Sequence, residues 1–370
     1  MKVKNLHTLF NRPSTINTVK QTLQKSFTAQ MTAQAAPLSV MKVHLKDEVT
    51  LDGILKARER IKDHVYVTPV MTCSYFDQLL GDGKKLYFKC ENFQKTGSFK
   101  IRGALNSVSR IIEERGNTDF HTLTHSSGNA GQAIALASSM KGVQAKVVMP
   151  LNAPVSKKNA TEGYGAEIFR CENSSEARSK MTQEIADKNP DKAEYIPSAD
   201  HPFMMEGQGT ITLEMLEQQP DLDALVIACS VGGMIAGMAK ACKLVKPNVK
   251  VFAVEPDRAD DLAQSFKTGK QVKLSAYPDT IADGLRMSVG DQTWPVIRET
   301  VEPDVLLVTE EEIKKSMYLI FERMKLVVEP SAAVVLAAVL TDQFRSLSKG
   351  LNNIGLVLCG GNPDLKSLPW

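Results

Sequence analysis

A few short runs of lysine, serine, cysteine and glycine carry the chemistry in this sequence. Lys100 stands in Lys95-Thr96-Gly97-Ser98-Phe99-Lys100-Ile101-Arg102-Gly103-Ala104, directly after the apolar run Leu86-Tyr87-Phe88-Lys89-Cys90. Thr96 or Ser98 is placed to cap a helix, and Gly97 lets the backbone pass close to a ligand. Lys100 then falls in the first helical turn, where the positive end of the helix dipole disfavours a cation. The same field favours the neutral amine, which is the form that attacks a carbonyl. An ordinary solvated lysine is the commoner fate of the residue type, and it gives way here because three runs downstream fit the same chemistry. The first, Ser126-Ser127-Gly128-Asn129, follows a strand candidate and makes a good helix cap. The second, Cys229-Ser230-Val231-Gly232-Gly233-Met234, leaves a strand and starts a helix, so its N–H groups suit a phosphate; a plain tight turn is the other reading. Its glycines at 232, 233 and 237 do not spell the GxGxxG dinucleotide fingerprint. The third, Cys359-Gly360-Gly361-Asn362, ends the last strand, and by itself Cys359 reads as a small buried hydrophobe.

The elements that must position these runs alternate. Helix 49–63 precedes an extended piece after Pro69 and a strand at 84–90; further strands are expected at 120–124, 143–149, 166–171, 222–228, 249–255 and 353–359. Helices are expected from Lys100, from 126 to about Met140, from 154, and over 174–188, 310–326 and 330–341. Apolar strands alternating with helices mean parallel sheets covered on both faces, and this number of units predicts an α/β protein of two three-layer domains. Ligands then sit in the cleft at the strands' C-terminal ends.

The run 95–104 resembles the pyridoxal-phosphate lysine segment of serine racemases and serine/threonine dehydratases, and the similarity extends from about Asp47 to the C-terminus. The resemblance implies a fold type II pyridoxal-phosphate enzyme. It divides the chain into a large cofactor-binding domain, 45–120 and 199–370, and a small mobile domain, 121–198. By the same resemblance Phe99 and Lys100 belong to the cofactor site, and residues 230–234 hold the phosphate. Asn129 contacts the phenolic oxygen, and Cys359, where relatives often have Ser, lies against the pyridine nitrogen. A thiol or hydroxyl there leaves that nitrogen unprotonated and the ring a weaker electron sink. Ser126, Ser127 and Arg178 would grip the substrate carboxylate, and Ser127 would face Lys100 across the cofactor. Two bases on opposite faces are what racemisation needs. Glu255, the Ala259 carbonyl and Asp261 match a Mg²⁺ or Ca²⁺ site, whose hard oxygen ligands suit such a cation, although an acidic helix start looks the same. Two departures stand out. The phosphate loop of racemases resembles four glycines, whereas Ser230 and Val231 occupy its first two places, and Val231 resists a left-handed backbone. Ala130 stands where many relatives carry His. Glu329, before Pro330, is expected near the site without an assigned role.

Composition bounds the rest. The chain has 370 residues, 43% hydrophobic and 24% charged, which reads as an ordinary soluble globular protein. No run of eighteen apolar residues suggests a membrane span. The net charge of +3 divides unevenly, because residues 1–44 hold five Lys and one Arg without an acid, leaving a body at −3. A slightly acidic body without a basic-aromatic stripe does not suggest nucleic acid. The acid-free segment fits either a mitochondrial transit peptide or an extension before a start at Met31 or Met41, so the expected location is cytoplasmic or mitochondrial. Six cysteines without CxxC spacing read as reduced thiols. The first functional reading is a serine racemase with dehydratase activity, acting on a small amino acid as a homodimer, with ATP left open as an activator. The alternatives are a serine/threonine dehydratase, a racemase of another amino acid such as aspartate, for which Ala130 and Ser198-Ala199-Asp200 leave room, and a catalytically silent pyridoxal-phosphate sensor.

Overall fold

In chain order the elements are α1 (Leu51–Ile61), β1 (Val70–Met71), α2 (Ser74–Leu80), β2 (Lys85–Lys89), α3 (Lys100–Arg115), β3 (His121–His125) and α4 (Asn129–Met140). Then come β4 (Gln144–Pro150), α5 (Val155–Gly163), β5 (Ala166–Cys171), α6 (Ser175–Lys188), β6 (Ala193–Tyr195), α7 (Pro202–Gln218), β7 (Ala224–Ala228) and α8 (Gly233–Val245). The series closes with β8 (Lys250–Pro256), α9 (Asp261–Thr268), α10 (Thr293–Thr300), β9 (Leu306–Val308), α11 (Glu310–Leu319), α12 (Pro330–Val339), α13 (Asp342–Leu347) and β10 (Asn353–Val357). This computed structural model describes residues 47–153 and 155–370. The acid-free segment 1–44, and with it the question of targeting, lies outside the described residues.

Local chemistry explains most of these boundaries. Thr50 accepts from the Gly53 amide and starts α1, whose Ile54, Ala57 and Ile61 then fall on one buried face. Thr309 and Glu312 form a reciprocal capping box at α11. The helix expected over 310–326 is α-helical only to Leu319; a π-helical turn, Ile320–Met324, completes it and ends at left-handed Lys325. One expectation fails at the centre of the sequence: neither Thr96 nor Ser98 caps α3. Phe99 occupies the N-cap position without a side-chain bond, and Thr96 takes a left-handed backbone with its hydroxyl unpartnered.

Strand order decides what meets. One sheet runs β1-β2-β10-β7-β8-β9 and the other β5-β4-β3-β6. All described pairings are parallel except β1 with β2, so the first sheet is not wholly parallel: two-residue β1 turns back along the edge of β2. The last strand, β10, lies between β2 and β7. The C-terminal ends of β2, β10, β7 and β8 therefore present, side by side, the Lys100 segment, Cys359, the 230–234 loop and Glu255. Helix α7 backs this arrangement and is buried over almost its whole surface. It lies so close to α3 that a Cβ on Gly207 would be 2.5 Å from the Gly103 Cα. Among the described residues no helix is long and apolar enough to cross a membrane.

Candidate active site

The Lys100 segment hangs on the end of β10. Phe99 N–H donates to the Cys359 carbonyl at 3.2 Å, Gly361 N–H donates to the Gly97 carbonyl at 2.8 Å, and Ser98 bridges Gly360. Lys100 begins α3, and its Nζ donates to the Ser198 carbonyl at 2.9 Å and sits 5.0 Å from the Phe99 ring centroid. Burial pulls the amine down to about 8, against the opposite pull of Cys359 and Glu329. The Cys359 thiol is buried beside that amine, and burial raises it well above its ordinary range, so it is a neutral S–H.

Asn129, the first residue of α4, ties the serine run to the same strand end. Its Nδ2 donates to Glu329 Oε1 and Oε2 at 2.9 and 3.1 Å, and its Oδ1 accepts from Asn362 Nδ2 at 2.9 Å. Ser126 Oγ accepts from the Gly128 amide at 3.2 Å, whereas the half-buried Ser127 hydroxyl has no partner among the described residues. Ala130 is 5% exposed and adds no polar group. Arg178, on α6, donates to Ser174 O and Ser175 Oγ rather than to the serine run. Burial drives the imidazole of His125, next to Ser126, down to about 4, and the Arg178 charge adds to it in the same direction.

The loop after β7 carries a set of unused donors. The amides of Ser230, Val231, Gly232, Gly233 and Met234 have no acceptor among the described residues, at the start of a thirteen-residue helix. Five such amides and a helix N-terminus form a donor set suited to a phosphate group. The one left-handed residue of the loop is Gly232, with φ of 98°, so Val231 avoids the backbone that its branched side chain would resist.

At the end of β8, Glu255 accepts from the Leu262 and Ala263 amides, both at 3.1 Å, and Asp261 Oδ2 accepts from Val289 N–H at 2.8 Å. Both carboxylates are buried and neither forms a salt bridge among the described residues; Ala259, between them in sequence, is buried as well. No group of three or more His, Cys, Asp or Glu that could hold a metal occurs among the described residues, so a cation here would depend on this carboxylate pair and backbone oxygen.

Two residues gain a place that sequence reasoning did not give them. Glu329, expected only to be near, is buried against Asn129, and burial with nearby Asp283 raises its carboxyl to about 7. Asp283 in turn accepts from Lys157 Nζ at 2.5 Å. The Glu-Pro at a helix start was the only available signal. Asp200, considered as part of a roomier substrate pocket, instead accepts from the Asp291, Gln292 and Thr293 amides.

A family model described as "Pyridoxal-phosphate dependent enzyme" matches residues 61–360. The chain is 46% identical over 326 residues to the serine racemase of Mus musculus, covering 87% of this chain and 94% of that one. Among solved structures it is similar to a pyridoxal 5'-phosphate-dependent aspartate racemase, with a TM-score of 0.84 and 42% identity over 87% of this chain and 98% of that one. It is also similar to the processed threonine deaminase isoform 2 of Solanum lycopersicum, with a TM-score of 0.77 and 30% identity over 86% of each chain.

Proposed function

The chain belongs to the pyridoxal-phosphate dependent enzymes, and we propose that it is a serine racemase that also deaminates serine or threonine to the keto acid, losing water in the elimination and taking it back as ammonia is released. The observation that carries this reading is Lys100. Its amine is held near neutrality at a helix start, at the same edge of the sheet as five amides without an acceptor among the described residues and beside a neutral thiol. A phosphorylated pyridine aldehyde fits that donor set: the amides of Ser230, Val231, Gly232, Gly233 and Met234 take the phosphate, Cys359 the ring nitrogen, Asn129 the phenolic oxygen, and Phe99 and Lys100 complete the site. Pyridoxal phosphate, when bound, supplies an electron sink for the pair left behind when the substrate α-proton departs.

The protein's own residues supply the proton chemistry. Neutral Lys100 takes the α-proton of the L-isomer, and the unpartnered Ser127 hydroxyl returns one from the other face. Ser126 and Ser127, with Arg178, orient the substrate carboxylate. In elimination Lys100 again takes the α-proton and passes one to the departing β-hydroxyl, which leaves as water, so Ser127 is not needed from the L-side. A catalytically silent sensor would need neither base. Buried Glu329 accepts from Asn129 and so fixes the start of α4.

The reading extends to Glu255, the Ala259 carbonyl and Asp261 as ligands of Mg²⁺ or Ca²⁺, supported by two buried carboxylates that form no ion pair among the described residues. It also takes 121–198 as a small mobile domain, supported by a second sheet whose strands all fall within 121–195, and a homodimer, with ATP a candidate activator that the assay below tests. One assay tests the reaction: incubation with a panel of L-amino acids, resolving D-enantiomers and keto acids together, with and without ATP. Keto acid from serine or threonine without any D-isomer would make it a dehydratase. D-aspartate as the dominant product would move the substrate, a reading favoured by the aspartate racemase likeness alone.

A further inference from the structure

The tripeptide Ser198-Ala199-Asp200 touches three parts of the site at once. The Ser198 carbonyl accepts from Lys100 Nζ at 2.9 Å. The Ala199 carbonyl packs so closely under the phosphate loop that a Cβ on Gly233 would lie 2.6 Å from it. Asp200 Oδ1 accepts from the Gln292 and Thr293 amides at 2.9 and 3.0 Å, and its Oδ2 accepts from the Asp291 amide at 3.0 Å. The turn so gripped reaches back to the loop: Gly290 N–H and Thr293 Oγ1 donate to the Val231 carbonyl at 2.9 and 2.5 Å. Ser230 Oγ closes the loop's other edge, donating to the Met287 carbonyl at 3.0 Å and accepting from its amide at 3.3 Å.

We propose that Asp200 is a positioning residue: through the 290–293 turn it fixes the Val231 peptide, and with it the orientation of the free amides at 230–234. The proposal rests on the reading of those amides as the phosphate site. Its logic is that the loop has side chains at 230 and 231 and so gains its rigidity from neighbours. With the Val231 carbonyl pinned by two donors, the Gly232 N–H of the same planar trans peptide is held pointing the opposite way. Because the same tripeptide holds Lys100, the amine and the phosphate site keep a fixed separation.

The test compares pyridoxal phosphate with pyridoxal, which lacks the phosphate, by titrating cofactor-free full-length protein and following visible absorbance. In Asp200→Asn, affinity for pyridoxal phosphate should fall about 10–100-fold, the worth of one or two hydrogen bonds to a charged acceptor, while pyridoxal binds as in the wild type. Thr293→Val, which removes the hydroxyl that donates to Val231 and accepts from the Gly290 amide while leaving Asp200 and its amide partners in place, should show the same selectivity to a smaller degree, and it decides the matter if Asp200→Asn does not fold. Equal losses for both aldehydes, or no loss for either, would overturn the proposal and leave Asp200 a structural cap. A wild-type protein that binds the two aldehydes equally would instead overturn the phosphate-loop reading beneath it.

Discussion

At the scale of single residues, the chemistry divides between two proton carriers whose surroundings differ. Lys100 is half-buried beside a neutral thiol, and desolvation of its amine lowers it to about 8. Only the neutral amine attacks an aldehyde, so the rate at which cofactor-free protein takes up pyridoxal phosphate should rise about tenfold per pH unit below that value and level off above it. Stopped-flow absorbance across pH 6–10 checks this, and Lys100→Ala should give no visible band at any pH; a flat profile would mean that the amine is not the titrating group. Ser127 differs in having a hydroxyl without a partner among the described residues, as a group reserved for substrate would. Ser127→Ala should therefore slow racemisation of L-serine by about 10²–10⁴, the usual worth of a placed acid–base group, and leave elimination from L-serine far less affected. Elimination from D-serine, whose proton faces Ser127, should collapse with racemisation. Comparing pyruvate and enantiomer release from each isomer separates the outcomes: equal losses of both reactions from L-serine would make Ser127 a binding residue and favour the dehydratase.

At the scale of elements, strand ends determine which residues meet. β8 delivers Glu255 to the amides of α9, and α9 opens with Asp261, so strand end and helix start bring the two carboxylates to one place. If they share a cation, chelation should lower the melting temperature and added Mg²⁺ or Ca²⁺ should restore it, because a ligand that binds only the folded state stabilises it. Glu255→Gln with Asp261→Asn should abolish that response in differential scanning calorimetry; an unchanged chelator response in the double variant would reduce the pair to a helix cap. Much of this architecture was legible. The apolar runs that became β2, β3, β4, β5, β7, β8 and β10 stand within a few residues of where alternation and turn chemistry place them. Helix α7 was not legible, because a helix buried on every side has no polar stripe, and Gly207 and Gly209 lower its propensity further. β1, β6 and β9, at two or three residues, are too short for any period to register. The lysine, serine and glycine runs announced the candidate site. Asp200 and Glu329 did not, since what they do depends on partners 91 and 200 positions away in sequence. Insertion of β10 between β2 and β7 is likewise a non-local fact that no window of sequence contains.

At the scale of the molecule, one buried charge cluster joins the parts that carry Lys100. Arg102, two residues beyond it, is wholly buried and donates to both oxygens of Glu91 and of Glu214 at 2.7–2.9 Å. Lys89 donates to Glu214 Oε2, the Thr68 carbonyl and Gln218 Oε1. Two cations and two anions thus bind β2, the loop after it, α3 and α7 into one unit with no net charge. Such a cluster is weak as a source of stability, because desolvation offsets most of its Coulomb gain, but breaking it unevenly strands a charge. Arg102→Met should cost about 3–5 kcal/mol in urea unfolding, since it leaves two buried carboxylates facing one lysine. Adding Glu91→Gln restores neutrality, leaving the Lys89–Glu214 pair intact, and the double variant should recover most of the loss. If it is no more stable than Arg102→Met alone, hydrogen bonding and shape at Arg102, rather than charge balance, hold α3 in place. The two variants should also differ at the site, because α3 begins at Lys100: the one that recovers stability should recover cofactor uptake with it.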